Sequence, residues 1–369
     1  MKLVSVLTTE ASGGAEFATA VLLDALGERG HEVVALSNQS GKNAPSRVAE
    51  RQVALGPKLS RRSWPRVVLR SRFLLRRLRA ALREVAPYDV LLLHYKKEQL
   101  LAPLLPSSLR ARLVWAEWGP VPPPLRRGPL RLAYLAAARR AALVIAVSDA
   151  TRDSLVGVGV PPEKVVVLPN ALRTDEIRFD KAGREKVRER LGIADEAFVV
   201  GCVSRFHPKK RNDILVEAVA RLGERAELIL AGAGETEAQL RELAAQRGVR
   251  AHFLGTPTGD LKEVLSAFDV SVFCPSPNEG APRAVIIAML AGRPCIATGA
   301  EGVRGLIPQG TGEIITPDND VERLTVALRS YAGDPERRQA DGERARAYAE
   351  ERFDAAAVAQ RFEQLLVAL

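Results

Sequence analysis

Cysteine is nearly absent. In 369 residues only Cys202, Cys274 and Cys295 occur, an odd number without paired spacing, which excludes a disulfide framework and reads as small core residues in a reducing cytosol. Histidine is as scarce, and His31, His94, His207 and His252 stand at no metal-binding spacing, so no metal site is expected. Long apolar runs are missing too. After Met1-Lys2 the apolar stretch ends at Leu7, too short for a signal peptide. No run reaches the roughly 18 to 20 residues that span a bilayer, so a cytoplasmic protein is expected. Acid is missing from one segment. Between Arg51 and Arg83 there is no Asp or Glu, against Lys58 and nine arginines from Arg61 to Arg83.

What is present describes a globular chain. Hydrophobic residues make up 47%, charged residues 27%, and the mean hydropathy is -0.04, values of a soluble fold without low-complexity segments. The length suits two domains, each with its own core. The net charge of +10 is concentrated in the acid-free segment, where Val67, Leu74, Leu78, Ala81 and Val85 recur at helical spacing. The spacing predicts a basic amphipathic helix. Arg61 to Arg83 would suit peripheral contact with an anionic membrane surface or an acidic acceptor, or simply a solvated helix face. A nucleic-acid partner is not expected, because no binding module or stacking aromatics accompany the charge.

Apolar strands alternate with helical stretches along most of the chain. "KLVSVL", "EVVAL", "YDVLLLH", "ARLVWAE", "ALVIAVS" and "KVVVLPN" come first; "AFVVGCVSRF", "AELILAGAG", "RAHFLG", "DVSVFCPS" and "PCIAT" follow a break at Val167 to Phe179. Such repetition predicts an α/β protein of two Rossmann-like, doubly wound parallel-sheet domains facing a cleft. The expected domains are 1–170 and 171–353, with a terminal helix at 354–369 packing back on the first. Helices are expected at 209–222 and 282–291 among others.

Four stretches carry candidate chemistry. Gly13-Gly14 precede a helix, where backbone N–H groups can meet an anion, although a turn needing positive φ explains paired glycines equally well. "AGAGETE", Ala231 to Glu237, lacks the third glycine of a dinucleotide fingerprint. "VSRFHPKKRND" sets Arg205 just after a strand and Lys210 at the opening of the next helix, two cations able to neutralise a diphosphate. "CPSPNEGAPR" places Glu279 in a turn before a helix, as an acceptor of sugar hydroxyls or a helix-start acid. "PDND", Pro317 to Asp320, reads as a helix cap at Asp320 rather than a metal motif.

Together these stretches resemble glycosyltransferase family 4, retaining enzymes of the GT-B fold. "SGGAE" is similar to the family's G-G-x-E, "VSRFHPKKRNDILVEAVARL" to its G-R-x-x-x-x-K-G segment, and "AFDVSVFCPSPNEGAPRAVIIAMLAGRPCIAT" to its E-x7-E block. The resemblance implies transfer of a sugar from a nucleoside diphosphate sugar, a UDP-sugar favoured, to an unidentified glycan, lipid or small-molecule acceptor. It implies retention of configuration, no metal and no cofactor. Arg205, Lys210 and Glu279 would be the catalytic set, and Gly13, Gly14, Gly280, Ala281, Pro282 and Arg283 would line the donor. Glu117 and Trp118 would contact acceptor or sugar; His94, at the end of "VLLLH", either joins them or, the reading more often met, is a core or loop histidine.

Three departures stand out. Ile287 occupies the place of the second acid, Trp118 that of a histidine common near the donor sugar, and Gly305 that of another acid. They leave open a non-catalytic or weakly active sugar-nucleotide-binding relative.

Overall fold

The computed structural model describes residues 1–7, 14–38, 48–56, 69–109, 111–256, 261–275, 280–299, 301–316 and 320–369. The chain divides into two compact units, Met1–Leu172 with Asp354–Leu369, and Arg173–Phe353.

The first unit holds strands β1 (Lys2–Leu7), β2 (Glu32–Ser37), β3 (Ala49–Gln52), β4 (Val90–Leu93), β5 (Arg112–Glu117), β6 (Leu143–Ala146) and β7 (Val165–Val167). Helices α1 (Gly14–Glu28), α2 (Ser71–Val85), α3 (Lys96–Leu101), α4 (Gly128–Ala138) and α5 (Asp149–Gly157) connect them. The strands form one parallel sheet in the order β3-β2-β1-β4-β5-β6-β7. Both faces are covered, so the inner strands are largely apolar. Leu91, Leu93, Leu113 and Trp115 pack with Leu74, Leu78 and Leu82 of α2. Their strand neighbours Val90, Leu92, Val114 and Ala116 pack on the opposite face with Leu22, Leu23 and Leu26 of α1.

The second unit repeats the plan with β8 (Phe198–Val203), β9 (Ala226–Ala231), β10 (Arg250–Phe253), β11 (Val270–Phe273), β12 (Cys295–Thr298) and β13 (Gly312–Ile315), in the order β10-β9-β8-β11-β12-β13. Its helices are α6 (Lys181–Leu191), α7 (Asn212–Ala220), α8 (Glu237–Gln246), α9 (Leu261–Ser266), α10 (Arg283–Leu290), α11 (Glu301–Arg304), α12 (Val321–Gly333) and α13 (Pro335–Phe353). Asp269 pins the amino edge of this sheet, accepting hydrogen bonds from Arg184 (2.8 Å), Arg188 (2.7 Å) and the Val199 N–H (2.7 Å). Burial pushes its carboxyl up, but the two guanidiniums outweigh burial and hold it below the usual range.

The last helix, α14 (Ala355–Val367), belongs to the first unit. Phe362 and Leu366 are buried in the α1 face, Arg112 donates to the Leu366 carbonyl (2.9 Å), and Leu172 bridges to Asp354. Among the described residues no helix is long and apolar enough to cross a membrane.

In each sheet the strand order reverses once, between β1 and β4 and between β8 and β11. Parallel α/β sheets bind ligands beyond the carboxyl ends of strands at such reversals.

Candidate active site

At the β8/β11 reversal the chain from Ser204 to Arg211 carries both expected cations. Arg205 is exposed, while its neighbour Phe206 is fully buried. Its backbone surroundings are closely held: the Ser204 N–H donates to Ala231 O (3.0 Å), the Phe206 N–H to Ala233 O (2.9 Å), and the Thr236 N–H back to Phe206 O (3.2 Å). Gly232 and Gly234 make this possible. At φ of 153° and 156°, a Cβ on either would lie 1.8 Å from Ser204 O or 2.2 Å from Phe206 O. "AGAG" is therefore a backbone clamp on the segment that presents Arg205, rather than a loop of its own.

Lys210 is not at the opening of a helix. Residues Pro208–Lys210 form a 3-10 turn, capped by the His207 ring accepting from the Lys209 N–H (3.1 Å), and α7 begins only at Asn212. Pro208 at the start of the turn and the left-handed Arg211 after it (φ 46°, ψ 41°) explain the delay. The Lys210 ammonium lies 4.9 Å from the ring centroid of Phe273, the last residue of β11. That contact brings Lys210 to the edge shared by β8 and β11. Arg211 occupies the position that is glycine in G-R-x-x-x-x-K-G, and its guanidinium pairs with Asp213 at 3.1 Å.

Gly13 and Glu279 lie outside the described residues. Gly14 opens α1. Gly280 and Pro282 are buried, Ala281 is half-buried, and Pro282 precedes α10. Arg283 opens that helix, and burial lowers its guanidinium from the usual value. Ile287 is 2% exposed within α10, so an apolar side chain fills the place of the second acid. Asp320 caps α12 by accepting from the Arg323 N–H (3.0 Å). Among the described residues no group of three or more His, Cys, Asp or Glu is arranged to hold a metal ion.

At the β1/β4 reversal three consecutive residues, His94, Tyr95 and Lys96, each reach a different element. Tyr95 donates its hydroxyl to Glu16 in the first turn of α1 (2.6 Å). Lys96 donates to Glu117 at the end of β5 and to the Tyr134 hydroxyl of α4 (3.1 Å). The Glu117 carboxylate also accepts from Tyr134 (3.2 Å). Burial lowers the Lys96 ammonium from its usual value and Glu117 pulls it back. Burial also raises the Tyr134 phenol, with Glu117 adding to the rise.

Strand alternation explains which groups meet. Trp115 and Glu117 share the α2–α4 face of β5, whereas Ala116 and Trp118 turn to the α1 face. Glu117 is thus committed to Lys96 and Tyr134, on the face opposite Trp118. Trp118 instead meets His94, their rings within 12° of parallel and 5.9 Å apart at the centroids. His94 is 4% exposed, with Nε2 2.8 Å from Ser5 Oγ. Burial pushes its imidazole down to about 3, opposed by the charge of Glu16. His94 and Trp118 border a small pocket whose other walls include Ala18, Leu92, Ile145 and Leu168.

Glu16 is the acid of the "SGGAE" stretch, whereas sequence reasoning missed Tyr95, Lys96 and Tyr134. The one visible signal was "HYKKE", polar residues directly after the apolar "VLLL".

Comparison with known proteins adds independent findings. A family model described as Glycosyltransferase Family 4 matches residues 12–176, and one described as Glycosyl transferases group 1 matches residues 183–348. A D-inositol 3-phosphate glycosyltransferase of Geodermatophilus obscurus is 30% identical over 203 residues, covering 51% of this chain and 44% of that protein. A GDP-mannose-dependent alpha-(1-6)-phosphatidylinositol monomannoside mannosyltransferase of Mycolicibacterium smegmatis is 29% identical over 213 residues, covering 54% of this chain and 55% of that one. The matched region spans about half the length of such relatives. Among solved structures, Anabaena HepE in complex with UDP and glucose superposes with a TM-score of 0.84 at 23% identity, over 100% of both chains. Sucrose-phosphate synthase of Thermosynechococcus elongatus gives 0.81 at 19% identity, again over 100% of both. The fold is that of the GT-B glycosyltransferases.

Proposed function

The chain belongs to glycosyltransferase family 4, and from that membership we propose that it moves a sugar from a nucleoside diphosphate sugar to a hydroxyl of an acceptor. The observation that most supports this is the presence of Arg205 and Lys210 at the β8/β11 reversal, one on a clamped backbone and the other against Phe273. Two cations at that edge can neutralise a diphosphate and the charge that grows on it as it leaves. In this reading Glu279 accepts hydrogen bonds from hydroxyls of the donor sugar. The turn from Gly280 to Arg283 shapes the floor beneath it. No metal is needed, because the protein's own cations carry that role.

The reaction proceeds with retention. The bond from the anomeric carbon to the diphosphate breaks, a bond to the acceptor oxygen forms on the same face, and the acceptor proton passes to the leaving phosphate oxygen. UDP is the favoured nucleotide, a choice supported by the UDP complexes of HepE. The first unit is the acceptor side. On its α2, Arg72, Arg76 and Arg83 are exposed, with Arg70 just before the helix, beside Leu69 and Phe73, which are 86% and 51% exposed. That face suits anionic lipid headgroups, in keeping with the phosphatidylinositol mannoside named for the Mycolicibacterium relative. The protein is then cytoplasmic and peripheral to the membrane.

A screen of UDP-, GDP-, dTDP- and ADP-sugars, read as release of the nucleoside diphosphate, tests the reading. Turnover of at least one donor is expected, insensitive to chelator and abolished by Arg205→Ala and by Glu279→Ala in folded protein. Full activity in both variants would refute the assigned site.

A further inference from the structure

We propose that Asn212 is a positioning residue: its buried amide ties the start of α7 to Ser204 at the end of β8 and so fixes the separation of Arg205 and Lys210. The inference rests on the diphosphate reading above and deepens it.

Asn212 opens α7 and is 5% exposed, in a helix whose other buried residues, Ile214, Leu215, Val216, Ala218 and Val219, are all apolar. An Asn at a helix start is usually the cap. Here Arg211 holds the capping position without a side-chain cap, and the Asn212 amide turns back to the strand instead. Its Nδ2 donates to Ser204 Oγ (3.1 Å), and its Oδ1 accepts from the same hydroxyl (3.3 Å) and from Cys202 Sγ (3.6 Å). The thiol keeps its proton for that bond, because burial pushes it up to about 11. A buried amide is costly unless it is paired, and this one pairs across the loop rather than within its own helix.

Ser204 and Asn212 bracket the segment Arg205–Arg211, which carries both cations. Its first end is held by backbone, the Ser204 N–H donating to Ala231 O (3.0 Å) and the Phe206 N–H to Ala233 O (2.9 Å). The Lys210 end is a 3-10 turn whose backbone bonds are internal, from the Lys210 N–H to His207 O (2.8 Å) and from the Arg211 N–H to Pro208 O (3.3 Å). The side-chain tie carries the fixed strand end across to that turn. The charge of Lys210 is felt by the Cys202 thiol, which places the ammonium close to the tie. Two cations meet the two phosphates of a diphosphate best at one separation, and a separation set beforehand costs no ordering when the ligand arrives. A monophosphate makes no such demand. Asn212 therefore acts through Ser204 and the loop, without touching the donor.

The test is calorimetric titration of the full chain with UDP, UMP, GDP and GMP, with melting temperature alongside. Wild type is compared with Ser204→Ala, Ser204→Thr, Asn212→Ala and the double alanine variant. Diphosphate affinity is expected to fall at least about tenfold in each alanine variant. The double variant loses no more than about twofold beyond either single one, because the two side chains act as one link. Monophosphate affinity stays within about twofold of wild type throughout, a split that a purely structural role would not produce. Ser204→Thr keeps the hydroxyl and with it the affinity. Should Asn212→Ala fail to fold, Ser204→Ala, which removes only a half-buried hydroxyl, carries the test alone. Diphosphate affinity in Ser204→Ala within about twofold of wild type would overturn the proposal, as would an equal loss of monophosphate and diphosphate affinity. Lys210→Ala separates the two levels: if it matches wild type with UDP and GDP, the diphosphate reading itself has failed, whereas a loss there with none in the alanine variants overturns the tie alone.

Discussion

The Tyr95 hydroxyl donates a 2.6 Å hydrogen bond to the carboxylate of Glu16, joining the exit of β4 to the first turn of α1 across 79 residues of sequence. The first turn of a helix leaves backbone N–H groups unpaired, so whatever holds that turn also fixes the direction of those donors. Tyr95→Phe removes only the hydroxyl. A bond to a charged acceptor contributes about 1.5–3 kcal/mol, and a loss of that size is expected in denaturant unfolding. Amide exchange should accelerate first in residues 18–21, whose N–H groups bond to the carbonyls of the first turn, because local opening precedes global unfolding. Unchanged exchange there would remove Tyr95 from this positioning role.

A second expectation concerns pH. His94 is held neutral down to about pH 3 in the folded protein, whereas an unfolded histidine titrates near 6.5. The folded pKa is the depressed one, so its contribution to stability is complete above pH 6.5 and is lost as pH falls toward 3. Between pH 6.5 and 5 the loss is about 2 kcal/mol. His94→Gln should lack that component, so its stability curve over the same interval is flatter than that of wild type. Parallel curves would mean that His94 is not buried neutral.

The Lys96–Glu117 pair predicts a non-additive pattern. Removing one partner leaves a buried charge uncompensated, at a cost of about 3–5 kcal/mol. Glu117→Gln and Lys96→Met should each lose stability on that scale. The double variant should lose less than the two single losses combined, a coupling readable in a double-mutant cycle.

Arg211 points the other way. A non-glycine residue in the left-handed region carries about 1–2 kcal/mol of strain, and its half-exposed pair with Asp213 returns no more than about 1 kcal/mol. Arg211→Gly is therefore expected to stabilise the Arg173–Phe353 unit by up to about 1 kcal/mol, seen as a higher urea midpoint with an unchanged slope. A lower midpoint would show that the guanidinium contributes more than the backbone strain removes.

Much of the fold was legible because parallel strands buried on both faces are apolar without interruption. "VLLL" and "LVIA" announce themselves that way, and the alternation with helices implies the layers. Two of the four edge strands do not. "AERQ" of β3 is polar and largely exposed, and "GEII" of β13 is short and half-buried, so neither stood out. Arg205 and Lys210 were readable from their place after a strand. The 3-10 turn at Lys210 and the strained Arg211 were not, because the pattern of apolar residues continues smoothly into α7. The commitment of Glu117 was in principle visible, since alternation along β5 sends it away from Trp118. Its partners Lys96 and Tyr134 were not, because their distances along the chain follow no local period.

The most direct measurement is the dissociation constant of UDP and of GDP for wild type and for Lys210→Ala, taken at matched salt with melting temperature as a control. The account predicts saturable binding of at least one nucleotide by wild type. It predicts binding weaker by about two orders of magnitude in the variant, the scale of a lost charge-assisted contact to phosphate, at an unchanged melting temperature. Equal affinity in both proteins would contradict the claim that the β8/β11 edge holds a diphosphate.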